Sequence, residues 1–212
     1  MTGAFKNPLE PDLLDIFSSL TTPLQIQDWL DSIPYVGEEL NRSPLRVVRD
    51  RQAHCLDGGL FAAAALRMIG YPALILDLVP EPGTDDDHVL ALFQQSGLWG
   101  ALAKSNFSGL RYREPLYRSL RELCMSYFED FFNVQGQKTL RGYTRPMDLS
   151  RFDRYDWLHR ETGVEAISTR LYSLKSIPLL SAESAAALAP VDRRSYEAGL
   201  LGTNYEGLFK PA

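Results

Sequence analysis

The 212-residue sequence has little cysteine and little histidine: two of the first and three of the second. Two cysteines, Cys55 and Cys124, are far too few for a disulfide framework, so both are read as reduced thiols and the chain as cytoplasmic. A long apolar run is missing as well. No stretch reaches the ~20 residues that a bilayer requires, and the opening "MTGAFKNPLEPDLLDIF" lacks the basic start and unbroken apolar core of an export signal. Membrane partners are therefore not expected. Basic runs are absent too, and the net charge is −5. Without a cationic surface to neutralise phosphates, nucleic acid is excluded as a partner. Repeats, linkers and low-complexity tracts are also lacking, so residues 1–212 read as one domain. Its expected parts are a core over about 45–110, a helical extension over 1–44 and an unassigned decoration over 111–212.

What is there points to an α+β fold. Residues 11–20 are apolar at helical spacing, and "TTPLQIQDWL" carries Thr22 as N-cap, Pro23 at the first helical position and Gln25 three residues after the cap. Ser43 and Pro44 repeat that start and deliver the chain to a break around 52–54. From Leu56 to Ile69 the residues are mostly Ala, Leu, Phe and Met, closed by Gly70 and Pro72, which predicts a buried central helix. The apolar runs "YPALILDLVP", "HVLALF" and "LWGALAKSN" predict a three-strand meander. "EPLYRSLRELCMSYFEDFFN" returns to helical spacing, with Leu116, Leu120, Leu123, Tyr127 and Phe131 on one stripe. "SAESAAALA" and "RRSYEAGLL" read as late helices, while residues 133–180 show no clean period.

The chemistry-bearing stretch is "RQAHCLDGGLFAAAALRMIG", residues 51–70. Cys55 opens the central helix, where unpaired N–H groups and the helix dipole favour a thiolate, the nucleophilic form of cysteine. Gly58 and Gly59 cost roughly 1 kcal/mol each relative to alanine, which a purely structural helix has little reason to accept. Of the three histidines, His54 adjoins Cys55 and points elsewhere, and His159 lies in a charged segment. His88, at the head of a strand, is the expected base. No Asp or Glu occurs between Val89 and Arg113, so Asn106 is the first candidate to orient the imidazole, ahead of Ser105 and Asp77. Gln52 is a candidate oxyanion donor and Trp99 a candidate substrate platform, although tryptophan there also reads as core. Cys124, mid-helix, reads as core. Lys104, Arg111 and Arg113 are candidates for holding an anionic substrate end. The spacing of His54, Cys55, Asp57, Asp85–Asp87 and His88 fits no standard zinc pattern, so neither metal nor cofactor is expected.

A cysteine opening "LFAAAALRMIGYPA", a strand headed by His88 and a strand containing Trp99 resemble the transglutaminase-like, papain-like cysteine enzymes, in particular compact microbial members. The resemblance covers about residues 45–110. It implies a central helix packed on a small antiparallel sheet, with Cys55 as nucleophile, His88 as base and a residue after Trp99 as orienter. The family has Asp at that third place, where this chain reads "AKSN". The expected function is a thiol-dependent hydrolase or acyl transferase acting on a peptide or amide through a thioester; the alternative is an inactive relative that serves as a binding module.

Overall fold

The computed structural model describes residue 5, residues 7–38 and residues 40–211. Proline at the first helical position, where its missing N–H costs nothing, starts three helices in a row: α1 (Pro11–Ser19), α2 (Pro23–Asp31) and α3 (Pro44–Asp50). Thr22 and Ser43 cap the second and third by accepting from the N–H groups of Gln25 and Arg46. Gln25 answers by accepting from the N–H of Thr21, so the reciprocal bond closes one residue earlier than the motif suggests. The central helix, α4 (Cys55–Met68), is capped by a histidine. The Nδ1 of His54 accepts from the Leu56 N–H while Asp57 accepts from the His54 N–H. At its other end Gly70 takes φ +98°, and Tyr71 and Gly70 donate to the Leu66 and Arg67 carbonyls, a Schellman close that needs glycine.

The predicted meander is present as β1 (Leu74–Pro80), β2 (His88–Gln95) and β3 (Leu98–Leu102), turning at Ser96 and Gly97, both at positive φ. The long helix expected over 114–133 is replaced by β4 (Arg113–Tyr117) and the short α5 (Leu120–Met125). Two local signals outweigh the apolar stripe. Pro115 is tolerated in an edge strand, and Ser119 caps a new helix by accepting from the Glu122 N–H. Then follow β5 (Leu140–Tyr143), β6 (Met147–Asp148), a 3₁₀ helix (Leu149–Tyr155), α6 (Glu161–Tyr172) and β7 (Ile177–Pro178). The late helices α7 (Ala182–Ala186) and α8 (Arg193–Gly199) lie inside the two stretches that predicted them.

All strand pairs are antiparallel, in the order β4-β3-β2-β1-β5-β7, with β6 also paired to β1. The stretch expected to decorate the core thus supplies four of the seven strands. Strand alternation splits the interior in two. Ile75, Val89, Ala91 and Phe93 pack with α4 and the N-terminal helices, whereas Leu76, Leu78, Leu90 and Leu92 face Tyr127 and Phe131 on the opposite side. The α4 glycines belong to the first interface. A Cβ on Gly58 would stand 2.2 Å from Lys104 Cβ, and one on Gly59 2.7 Å from Val89 Cγ1. The helix rests directly on the segment that follows β3 and on β2 at these two positions, so the glycines have a packing reason that the sequence argument missed. Among the described residues no helix is long and apolar enough to cross a membrane.

Candidate functional site

Cys55 occupies the first position of α4 and lies against the head of β2. Its thiol donates to the Asp87 carbonyl at 3.7 Å, and the Val89 N–H lies beside the sulfur. Only 8% exposed, it nonetheless lines a cleft of about 580 Å³. Tyr35, His54, Asp87 and Tyr172 surround its mouth, and residues 206–210 form the facing wall.

The group that β2 presents to the sulfur is a carboxyl. Val89 touches α4 at Gly59, so the same strand face carries Asp87 two residues earlier, and across the ladder Asp77 stands opposite Val89. The side chains of Asp77 and Asp87 stand beside each other, with the Tyr172 hydroxyl next to Asp87. Asp77, 4% exposed, is pushed well above the usual carboxylate range by burial and then by the Asp87 charge. Asp87 rises to about 6 from burial and the neighbouring Asp86 charge, against the pull of Asp77 and Tyr172 beside it. Asp77 Oδ1 and Asp87 Oδ2 meet no N–H or O–H donor of another group, which one proton shared by the pair relieves. Cys55 feels the consequence: burial first, and then the charges of Asp87 and Asp86, raise its pKa well above that of an ordinary thiol, and the Val89 N–H opposes this. The helix terminus favours thiolate, but the surroundings outweigh it.

His88 lies on the other face. Its neighbours Leu90 and Leu92 belong to the opposite apolar cluster, its ring meets Phe131 edge-on at 6.5 Å, and its Nε2 donates to the Leu110 carbonyl at 2.7 Å. The sheet stands between imidazole and sulfur, so the expected Cys55–His88 pair is not formed. One residue of strand register decides this: Asp87 and Val89 face α4, and His88 between them cannot. Burial lowers the His88 pKa to about 4, so the ring is neutral. His54 is closer to the sulfur but no better as a base. Its Nδ1 is occupied by the Leu56 N–H, its Nε2 lies 3.2 Å from both the Leu40 carbonyl and Asp57, and burial lowers its pKa to about 4. Beneath it, Asp57 accepts from the Arg42 N–H at 2.6 Å, and burial, opposed by that bond and by the N–H of His54, lifts its pKa to about 7.

The remaining expected residues serve the fold. Asn106 does not orient a histidine; its Nδ2 donates to the Asn204 carbonyl and its Oδ1 accepts from the Asn204 N–H, tying down the C-terminal segment. Ser105 accepts from the Phe107 N–H. Trp99 packs on the cluster across the sheet from α4, and Gln52 is half-buried outside the cleft wall, so neither stands where a substrate on the sulfur would lie. Lys104 is buried and donates to the Leu30 and Ile33 carbonyls, Arg111 pairs with Asp31, and Arg113 bonds Asp130 and lies over Tyr127. These three cations are structural ties. His159 pairs with Asp156, and Cys124 is buried as expected. Tyr35, Tyr172 and the wall at 206–210 escaped the sequence reading, which weighed Asp87 only within the acidic run 85–87. Only Asp87 left a signal, through the alternation 87, 89, 91 along β2. Compared with known proteins, the chain matches no protein-family model and no curated sequence.

Proposed function

We propose that this chain is a binding protein on a transglutaminase-like core, the second of the two sequence expectations, and that its cleft receives a cationic amine or guanidinium group of a peptide or small molecule. The observation that carries it is the carboxyl pair Asp77–Asp87 placed where a thiol enzyme needs a base. A thioester mechanism requires a thiolate and a proton carrier within hydrogen-bond reach. The thiol here faces carboxyls that hold its proton on, the nearby His54 imidazole is engaged at both ring nitrogens, and His88 lies behind the sheet. Asp87, with Asp86 and Glu206 on the cleft wall and the rings of Tyr35 and Tyr172, suits a cation that brings charge into the cleft, while Asp77 stands beside Asp87 but off the wall.

Alkylation kinetics separate this reading from hydrolysis. Iodoacetamide modifies Cys55 slowly at pH 7, the double substitution Asp77→Asn/Asp87→Asn speeds the reaction several-fold by removing the opposing charge, and His88→Asn leaves the rate unchanged. Rapid alkylation of Cys55 at pH 7 that slows in either variant overturns the proposal in favour of a thiol enzyme. Calorimetric titration with an Nα-acetyl-lysine amide supplies the binding side: saturable heat that the double variant abolishes is expected, and equal heat from both proteins counts against the cleft as its site.

A further inference from the structure

A second cavity, remote from the thiol cleft and independent of how that cleft is read, is lined by four arginines. Arg145 precedes β6, Arg151 and Arg154 project from the 3₁₀ helix, and Arg170 from α6; together they border a space of about 520 Å³. Among the described residues none of the four takes part in an ion pair. Arg154 donates to the Tyr155 hydroxyl and Arg170 to the Ser173 hydroxyl, both neutral partners. Acids are nearby, but they are engaged elsewhere. Asp153 binds both terminal nitrogens of Arg67 and the Trp157 indole, Asp156 binds His159 and Arg160, and Asp148, the one acid on the wall, accepts from the Ser150 N–H.

In a chain of net charge −5, four guanidinium groups outside any ion pair, around one hollow with a single acid on its wall, repel one another, and folding alone gains nothing from gathering them. The hollow also has an aromatic side. Phe152 and Tyr155 stand 6.3 Å apart at 41°, and the Arg154 guanidinium lies 4.6 Å over the Tyr155 ring. Guanidinium forks match phosphate oxygens in pairs, and the volume suits a molecule of nucleotide size. We propose that this pocket binds a phosphorylated small molecule carrying a flat apolar part, of the nucleoside di- or triphosphate class, with the phosphates on the arginines and the ring system against Phe152 and Tyr155.

Calorimetry with ADP, pyrophosphate and adenosine on the full chain tests the assignment. ADP binds saturably, pyrophosphate binds more weakly, and adenosine more weakly still. Arg145→Gln/Arg151→Gln, a change of exposed side chains whose folding is checked by circular dichroism, weakens ADP and pyrophosphate at least tenfold. Phe152→Ala weakens ADP several-fold and leaves pyrophosphate unchanged. The proposal is overturned if neither phosphate compound binds at millimolar concentration in low salt, or if the arginine variant binds as the parent does. It is equally overturned if ADP, citrate and sulfate bind alike, since an undiscriminating basic patch would then be all that is present.

Discussion

At Cys55, backbone and side chains act on one thiol in opposite senses. The start of α4 supplies unpaired N–H groups, whereas burial and the acids of β1 and β2 hold the proton on. Of the three acids preceding His88, two, Asp87 and Asp86, raise the thiol. His88 has its own pH signature. Its proton affinity is ordinary in the unfolded chain and falls to about 4 in the folded one, so below pH 6.5 the unfolded state takes up the proton first. The stability contributed by the neutral, carbonyl-bonded ring is therefore complete above pH 6.5 and is lost as pH falls toward 4, up to about 3 kcal/mol in total. Urea titrations of the parent and His88→Asn check this. The parent is the more stable at pH 7.5, and the gap between the two narrows steadily between pH 6.5 and 4; a constant gap would place a charged or exposed imidazole there.

Among the elements, α4 is set by contacts at both ends and along one face. Its capping box joins a histidine and an aspartate, an unusual pairing of residue types that a search for Ser or Thr caps does not find. Its glycine face is the more demanding feature. Gly58→Ala places a methyl inside the Lys104 side chain at the Cβ, close to the backbone where it cannot swing aside, and pushes the helix from the segment that follows β3. A loss of about 2–3 kcal/mol is expected, in the range of other overpacked cores, measured as a lower urea midpoint. Gly70→Ala puts a side chain on φ +98° with open space around it; strain alone should cost about 1 kcal/mol. The comparison of the two variants distinguishes close approach from backbone strain.

Across the whole molecule, the C-terminal segment completes the cleft wall. Asn106 holds Asn204 by two hydrogen bonds, its carbonyl accepts from the Thr203 hydroxyl, and the Asn204 side chain donates to the Tyr35 carbonyl. Beyond these ties Gly207 crosses Gly37 so closely that a Cβ on Gly37 would lie 2.6 Å from the Gly207 Cα. Asn106→Ala frees two backbone groups and loosens the wall. Limited proteolysis should then cut within 200–211 several-fold faster, and a bulky maleimide should reach Cys55 sooner; unchanged cleavage would show that packing alone holds the segment.

Much of the architecture was legible in local signals. Proline starts, Thr22 and Ser43 caps, the Gly70 stop and the short apolar runs act within a few residues, and those elements formed where they were read. The apolar stripe from Leu116 to Phe131 misled, because helical spacing there competes with Pro115 and Ser119, and sheet pairing with β3 settles the contest. Strands β5, β6 and β7, two to four residues long, carry too few positions to show a period.

By itself the sequence determined an α+β chain with a cysteine opening a buried helix and a strand hairpin behind it, since propensity, capping and alternation are properties of neighbouring residues. Which side of β2 meets the sulfur was decided only in three dimensions. Side chains on a strand alternate, so the choice between Asp87 and His88 depends on register against β1 and on Val89 settling over Gly59, contacts between residues ten and thirty positions apart.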